Sequence, residues 1–202
     1  MIVEYFSFKD QSEKNKTVIS QILYKSFDTK FKPIFKKVTI EEGINIIKQT
    51  LAKTSGLLAR EGAKILGVAI LSSSTSPSLY FDKKLKKKLG LLSYIYLNHI
   101  FKVEDITNNA TIKIELLAIT KGARGQGIGS KILSEIVKYS RTNKYKKILL
   151  EVVDTNPRAK ILYKRIGFKT TKTYRSGIFT KAFGFGGYDD MCLKIQKKNK
   201  LV

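Results

Sequence analysis

Arg124-Gly125-Gln126-Gly127-Ile128-Gly129 lies between an apolar run of strand character, Thr111–Ile119, and a stretch whose Ile128, Ile132, Leu133, Ile136 and Val137 recur at helical spacing. Glycines let the chain turn tightly and aim several backbone N–H groups at an anion where the helix begins and its dipole is positive. Phosphate is the natural ligand of such a loop. A nucleoside-triphosphatase loop needs Gly-Lys-Ser/Thr after its second glycine, whereas Gly127 is followed by Ile128. A dinucleotide fingerprint needs a third glycine three positions after the second, where this chain has Ser130. Both phosphate sites are rejected.

Working outward, residues 147–153 form a nearly continuous apolar strand suited to a sheet interior. Asn156-Pro157 reads as a helix start, with Asn as N-cap and Pro at the first helical position, and Gly167 closes that helix in the left-handed conformation. Residues 168–175 and 188–195 supply two closing strands. Upstream, residues 2–8 read as a strand, 14–27 and 39–53 as helices, and 56–60 with 64–71 as a hairpin through Glu61-Gly62-Ala63. The Ser/Thr-rich residues 72–78 read as a loop. The class is α/β with a mixed sheet flanked by helices.

Residues 79–101 stand out. Leu85, Leu89, Leu92, Tyr96 and Ile100 fall at three- and four-residue steps beside a lysine-rich run, and Gly90 splits the segment in two. A basic amphipathic helix either lies on a membrane surface or packs its apolar face on its own domain or a partner subunit, and packing is the commoner use. No run is long enough to span a membrane, and the start of the chain lacks a signal-type apolar segment, so the expectation is a cytoplasmic protein.

The chain has 202 residues, 43% of them hydrophobic, enough for one domain with a real core and a helical insertion at 79–101. Its net charge of +23 favours anionic partners, nucleic acid among them. Only six of the basic residues are arginine, however, and lysines are spread along the whole chain. A solvated lysine-rich surface is therefore preferred to dedicated nucleic-acid binding. The lone Cys192 excludes an internal disulfide and any multi-cysteine metal site, and no metal is expected.

The glycine loop resembles the Arg/Gln-x-x-Gly-x-Gly/Ala pyrophosphate loop of the GNAT N-acetyltransferase superfamily. Asn156-Pro157-Arg158-Ala159-Lys160-Ile161-Leu162-Tyr163-Lys164-Arg165-Ile166-Gly167-Phe168 resembles the family's Asn-x-x-Ala-x-x-Leu-Tyr-x-x-x-Gly-Phe segment at every fixed position. The two motifs stand in the family's order and separation. Residues 79–101, where the family has a shorter connection, are a departure. The closing Phe183-Gly-Phe-Gly-Gly-Tyr-Asp-Asp-Met191 is similar to a bacterial and archaeal subgroup that names no substrate.

The resemblance implies a GNAT fold and acetyl-CoA as co-substrate. It implies that Leu117, Ala118 and Ile119 pair with the pantetheine arm, and that the amides of Arg124, Gly125, Gln126, Gly127, Ile128, Gly129 and Ser130 hold the pyrophosphate. Asn156, Ala159 and Tyr163 would contact the arm, and Arg158 or Lys160 would approach the 3′-phosphate. Acetyl transfer to an amine needs a neutral amine, a stabilised oxyanion and a protonated leaving thiolate. Tyr163 occupies the family's general-acid position, and a phenol near pKa ~10 lies only about 1.5 units above a thiol near ~8.5. Glu115 interrupts an apolar strand before the loop, where a carboxylate is costly to bury unless paired or functional, and is the candidate base. The N–H of Leu117 or Ala118 would polarise the thioester carbonyl.

Other residues draw a weaker case. His99 is the only histidine but lies in the insertion, and Cys192 reads as a small buried apolar residue. Asp189 and Asp190 either bind a cationic amine or serve the strand end. Phe179, Phe183, Phe185 and Tyr188 form either an aromatic lip on the acceptor pocket or contacts of a homodimer. The expected activity is N-acetylation of a protein N-terminus, a lysine or a small amine by direct attack in a ternary complex. The competing reading is a non-catalytic acyl-CoA-binding or nucleic-acid-associated module, which would need neither Tyr163 nor Glu115.

Overall fold

The computed structural model describes residues 1–31, 34–74, 76, 79, 84–91, 93, 109–175 and 185–195. Its strands are β1 (Ile2–Ser7), β2 (Ser55–Glu61), β3 (Lys64–Ser73), β4 (Thr111–Ile119), β5 (Lys147–Val153), β6 (Lys169–Arg175) and β7 (Gly187–Lys194). Its helices are α1 (Glu13–Ser26), α2 (Asp28–Phe31), α3 (Ile40–Thr50), α4 (Lys84–Leu89), α5 (Ile128–Thr142) and α6 (Pro157–Ile166). The strands make one sheet in the order β1-β2-β3-β4-β5-β7-β6. Every neighbouring pair is antiparallel except β4 and β5. A parallel pair needs a crossover, and α5 supplies it. This is the mixed, mostly antiparallel α/β architecture that the sequence implies.

The sheet is buried on both faces at β2 and β3, which explains the apolar runs at their centres. Leu58, Val68 and Ile70 face a core built with Ile19 and Leu23 of α1 and Ile46 and Ile47 of α3. Leu57, Ala59, Ala69 and Leu71 face the opposite core, closed by Ile128, Ile132, Leu133 and Ile136 of α5. Leu85 and Leu89 of α4 are buried in the first core, and Lys88 pairs with Glu42 at 2.9 Å. That part of the 79–101 stretch thus packs on its own chain. Gly90 takes φ 84° and separates α4 from the helical Leu91, as its position suggested. His99, Phe179 and Phe183 lie outside the described residues.

Two features of the sheet position the site. First, β3 runs on to Ser73, so Ser72 belongs to a strand and not to the loop expected from its Ser/Thr-rich surroundings. Second, the β3–β4 register slips: Ile70 faces Leu116 while Leu71 faces Ile114. Glu115 is the extra residue of a β-bulge. The slip moves the even-numbered side chains across the sheet, with Ile112 and Ile114 in the α5-side core and Leu116 and Ala118 in the other. Without the bulge all four would share one face.

Candidate active site

Pairing of β4 with β5 stops at Ile114 opposite Leu150, although β4 continues to Ile119 and β5 to Val153. From the bulge onward β4 keeps β3 on one edge, while β5 keeps β7. The two strands splay, and a cleft of about 820 Å³ opens between them. Buried backbone polar groups require partners, so an extended ligand able to pair with the freed edge of β4 fits this opening.

At the other end of the cleft the glycine loop enters α5. Gly125 and Gly127 adopt φ 81° and 75°, and a Cβ at either would touch nothing within 4 Å. Backbone conformation, not space, selects glycine there. Gly127 is the N-cap of a fifteen-residue helix and brings no side-chain cap, so the first-turn amides face the cleft uncapped. Arg124, Arg158 and Arg165 line the same end, with Arg124 Nε donating to the Ile119 carbonyl at 3.2 Å. The α6 start differs. Asn156 Oδ1 accepts from the Ala159 N–H at 3.2 Å, capping that helix as its sequence predicts, and Gly167 ends it at φ 108°.

The opposite end is acidic. Glu115 Oε1 accepts from the Ser72 hydroxyl at 2.5 Å, and Lys113 Nζ lies 3.8 Å from Glu115 Oε2 and 2.7 Å from Glu151 Oε1. Tyr163 reaches the cleft from α6, 8% exposed, with its ring 5.9 Å from that of Phe168. Burial pushes its phenol up to about 12. The phenol therefore stays protonated at any physiological pH, and the gap to a thiol near ~8.5 widens from the expected ~1.5 units to about 3.5. A donor this weak releases its proton only to a sulfur that carries nearly full negative charge.

The structure brings Glu115, Leu117, Ala118, Ile119, Arg124, Gly125, Gly127, Ile128, Gly129, Ser130, Asn156, Arg158, Ala159 and Tyr163 to one cleft. Gln126 is not in its wall; its side-chain amide donates to the Gly122 carbonyl at 3.1 Å and braces the loop. Lys160 pairs with Asp189 instead of lining the cleft. That ion pair first, and the Thr173 hydroxyl at 2.7 Å second, hold the Asp189 carboxyl below its ordinary range. Asp189 is thus engaged within the chain. Cys192 is half-buried, not sealed in the core. Phe185 lines the cleft, while Tyr188 stacks on Tyr174 with ring centroids 4.6 Å apart. Lys113, Ser72 and Glu151 are additions. Lys113 and Glu151 carried the same signal as Glu115, a charge within an apolar strand; Ser72 carried none. No group of residues suited to a metal ion occurs among the described residues, and none of their helices is long and apolar enough to cross a membrane.

Residues 21–168 match the model of the Acetyltransferase (GNAT) family. No curated protein matches the sequence. Among solved structures, an N-acetyltransferase from Staphylococcus aureus Mu50 superposes with TM-score 0.67 at 16% identity, covering 96% of this chain and 100% of its own. The ribosomal-protein-S18-alanine N-acetyltransferase from Escherichia coli gives 0.56 at 12% identity, covering 100% and 99%. A Bacillus subtilis acetyltransferase in complex with CoA gives 0.57 at 13% identity, covering 96% and 98%.

Proposed function

The chain belongs to the GNAT acetyltransferase family, whose co-substrate is acetyl-CoA, and from that premise we propose a cytoplasmic N-acetyltransferase acting on a primary amine. The acceptor is a protein N-terminus, a lysine or a small amine, and attack is direct, in a ternary complex. One observation carries this reading: a carboxylate, a buried phenol, an unpaired strand edge and an uncapped helix N-terminus share one cleft.

The residues present fit acetyl-CoA. Leu117, Ala118 and Ile119 offer the freed edge of β4 to its amide-bearing arm. The amides from Arg124 to Ser130, with Arg158 nearby, suit its phosphates, and Asn156 and Ala159 flank the arm. When bound, acetyl-CoA supplies a thioester carbonyl for the amine to attack. Glu115 takes the proton of the incoming ammonium, directly or through one water. The N–H of Leu117 or Ala118 stabilises negative charge at the carbonyl oxygen. Tyr163 holds its proton until the sulfur departs and then gives it up. The cationic and acidic ends of the cleft match the opposite charges of the two substrates.

Calorimetry with acetyl-CoA, with desulfo-CoA and ATP as controls, followed by a thiol-release screen of amines, tests the reading. Micromolar binding and release stimulated by one amine class are expected. Tyr163→Phe keeps the ring and should lower kcat about ten- to a hundredfold with acetyl-CoA affinity retained. A phenol at about 12 stays in its acid form up to that value, so Tyr163 adds no alkaline fall in kcat below about pH 10. A folded protein that binds no acetyl-CoA would overturn the proposal. A wild-type alkaline limb near pH 8–9 that Tyr163→Phe abolishes would overturn the assigned state of the acid.

A further inference from the structure

Glu115 shares the acidic end of the cleft with other charges. Ile112 and Ile114 of β4 and Ile148, Leu150 and Val152 of β5 point into the α5-side core. By alternation Lys113 and Glu151 point to the opposite face, where their ion pair joins them at 2.7 Å. Leu71 also belongs to the α5 side, so Ser72, bonded to Glu115, lies on the same face as Lys113 and Glu151. Four polar side chains thus share one patch of sheet where β4 and β5 part. Next in register, Asp190 of β7 lies opposite Glu151 and Lys172 of β6 opposite Asp190, which adds one charge of each sign.

Lys113 is the unusual member of the patch. A lysine ammonium is strongly hydrated and rarely buried, yet this side chain is only 11% exposed. Its Nζ lies within 4 Å of both Glu151 Oε1 and Glu115 Oε2, and all three residues line the cleft. We propose that Lys113 restricts the acceptor to amines with a single positive charge near the reacting nitrogen; this rests on the cleft being the site of acetyl transfer, with Glu115 at its acceptor end. Two carboxylates and one ammonium leave one negative charge there, and the ammonium of an incoming monoamine balances it. A polyamine brings a second ammonium a few methylenes from the first. The carboxylate placed to receive it is Glu151, which Lys113 already engages. Lys113 and the extra cation would then repel each other in a cleft from which the two substrates displace water. The chain's own lysine stands where that second ammonium would bind.

The net charge of +23 opposes polycations too, but at long range, and salt weakens it. Lys113 acts at contact distance, so its effect outlasts the screening of the surface. Protein N-termini, lysine side chains and simple monoamines all remain acceptors under this rule; polyamines do not.

Turnover is read as thiol release from acetyl-CoA at about 0.5 M salt, where surface charges are screened beyond about 4–5 Å. The fastest of three single-charge amines (an alanine-initiated peptide, a blocked lysine and butylamine) is compared with putrescine and spermidine. Wild type should favour the single-charge amine by about tenfold or more in kcat/KM. Lys113→Met, similar in length and uncharged, releases Glu151 and should raise the polyamine-to-monoamine ratio about ten- to a hundredfold. Lys113→Gln repeats the test with a polar side chain, and Lys113→Arg keeps the charge and should hold the ratio within about threefold of wild type. Each ratio is taken within one enzyme, so a general loss of activity or of folded protein cancels. A purely structural Lys113 would leave the ratio unmoved. Wild type that acetylates putrescine or spermidine as efficiently as the best monoamine, or a ratio unchanged in Lys113→Met and Lys113→Gln, overturns the proposal with the transferase reading intact. A folded protein that binds no acetyl-CoA fails at that reading itself, and the charge rule falls with it.

Discussion

Twice in this sheet a carboxylate sits between a lysine and a hydroxyl. Glu115 has Ser72 at 2.5 Å and Lys113 at 3.8 Å; Asp189 has Thr173 at 2.7 Å and Lys160 as its ion-pair partner. The functional groups are the same, but the backbones differ. Asp189 lies in β7, whose edges are both occupied, by β5 opposite Val152 and by β6 opposite Thr173. Glu115 is a bulge residue at the point where β4 parts from β5. Carboxylate chemistry alone distinguishes neither from the other. An open strand edge turns one trio toward a cleft, and a closed edge leaves the other to hold α6 against β7.

The comparison is broken most directly at Glu115. Glu115→Gln keeps the shape and an oxygen able to accept from Ser72, but not the basicity. The expected result is a fall in kcat of about 10²- to 10⁴-fold, with acetyl-CoA binding and the melting midpoint little changed. Steady-state thiol release beside calorimetry reads both quantities. An unchanged kcat would make Glu115 another Asp189, a structural carboxylate that happens to face a cleft.

Sequence reasoning found what is encoded locally. The positive φ of Gly125, Gly127 and Gly167 and the Asn156 cap depend on a few adjacent residues, so the loop and both helix starts were readable. Glu115 was readable because a charge in an apolar strand needs a reason. Its surroundings were not. Ser72 reaches it across the bulged β3–β4 pair, Glu151 reaches its neighbour Lys113 from β5, and no local pattern announces a one-residue slip. The same blindness left Asp189 eligible for a cationic amine and Lys160 for a phosphate. Their mutual pairing depends on the α6 helix docking over β7, a contact between segments that are separate in sequence.

Asp189→Asn sharpens the contrast from the structural side. Lys160 and then Thr173 stabilise the charged carboxylate, so its folded pKa lies below the unfolded value near ~3.9. Such a group contributes stability above the unfolded value and loses it as pH falls through the lower folded one. At pH 7 the variant should melt about 2–4 °C below wild type, the shift of about 1 kcal/mol in a chain of this length, and the difference should start to narrow below about pH 4 and close as pH falls through the lower folded value. The kcat should stay within about twofold of wild type, against the large loss at Glu115. Thermal melts from pH 3 to pH 7 provide the check, and a gap as wide at pH 3 as at pH 7 would assign the effect to packing and not to charge.

The smallest effect is expected at the second hydroxyl, and it is the closest counterpart of Ser72. Thr173→Val removes one hydrogen bond from Asp189 while keeping a β-branched side chain on an exposed strand, and Lys160 still pairs with the carboxylate. A loss of at most about 1 kcal/mol follows, seen as a shift of about 1–3 °C in the melting midpoint. No change in kcat should accompany it. Thr173 and Ser72 donate the same kind of bond to the same kind of group, so a loss of turnover in Ser72→Ala alone would trace the difference to the cleft that Glu115 lines. Equal behaviour of the two variants would return both hydroxyls to a purely structural role.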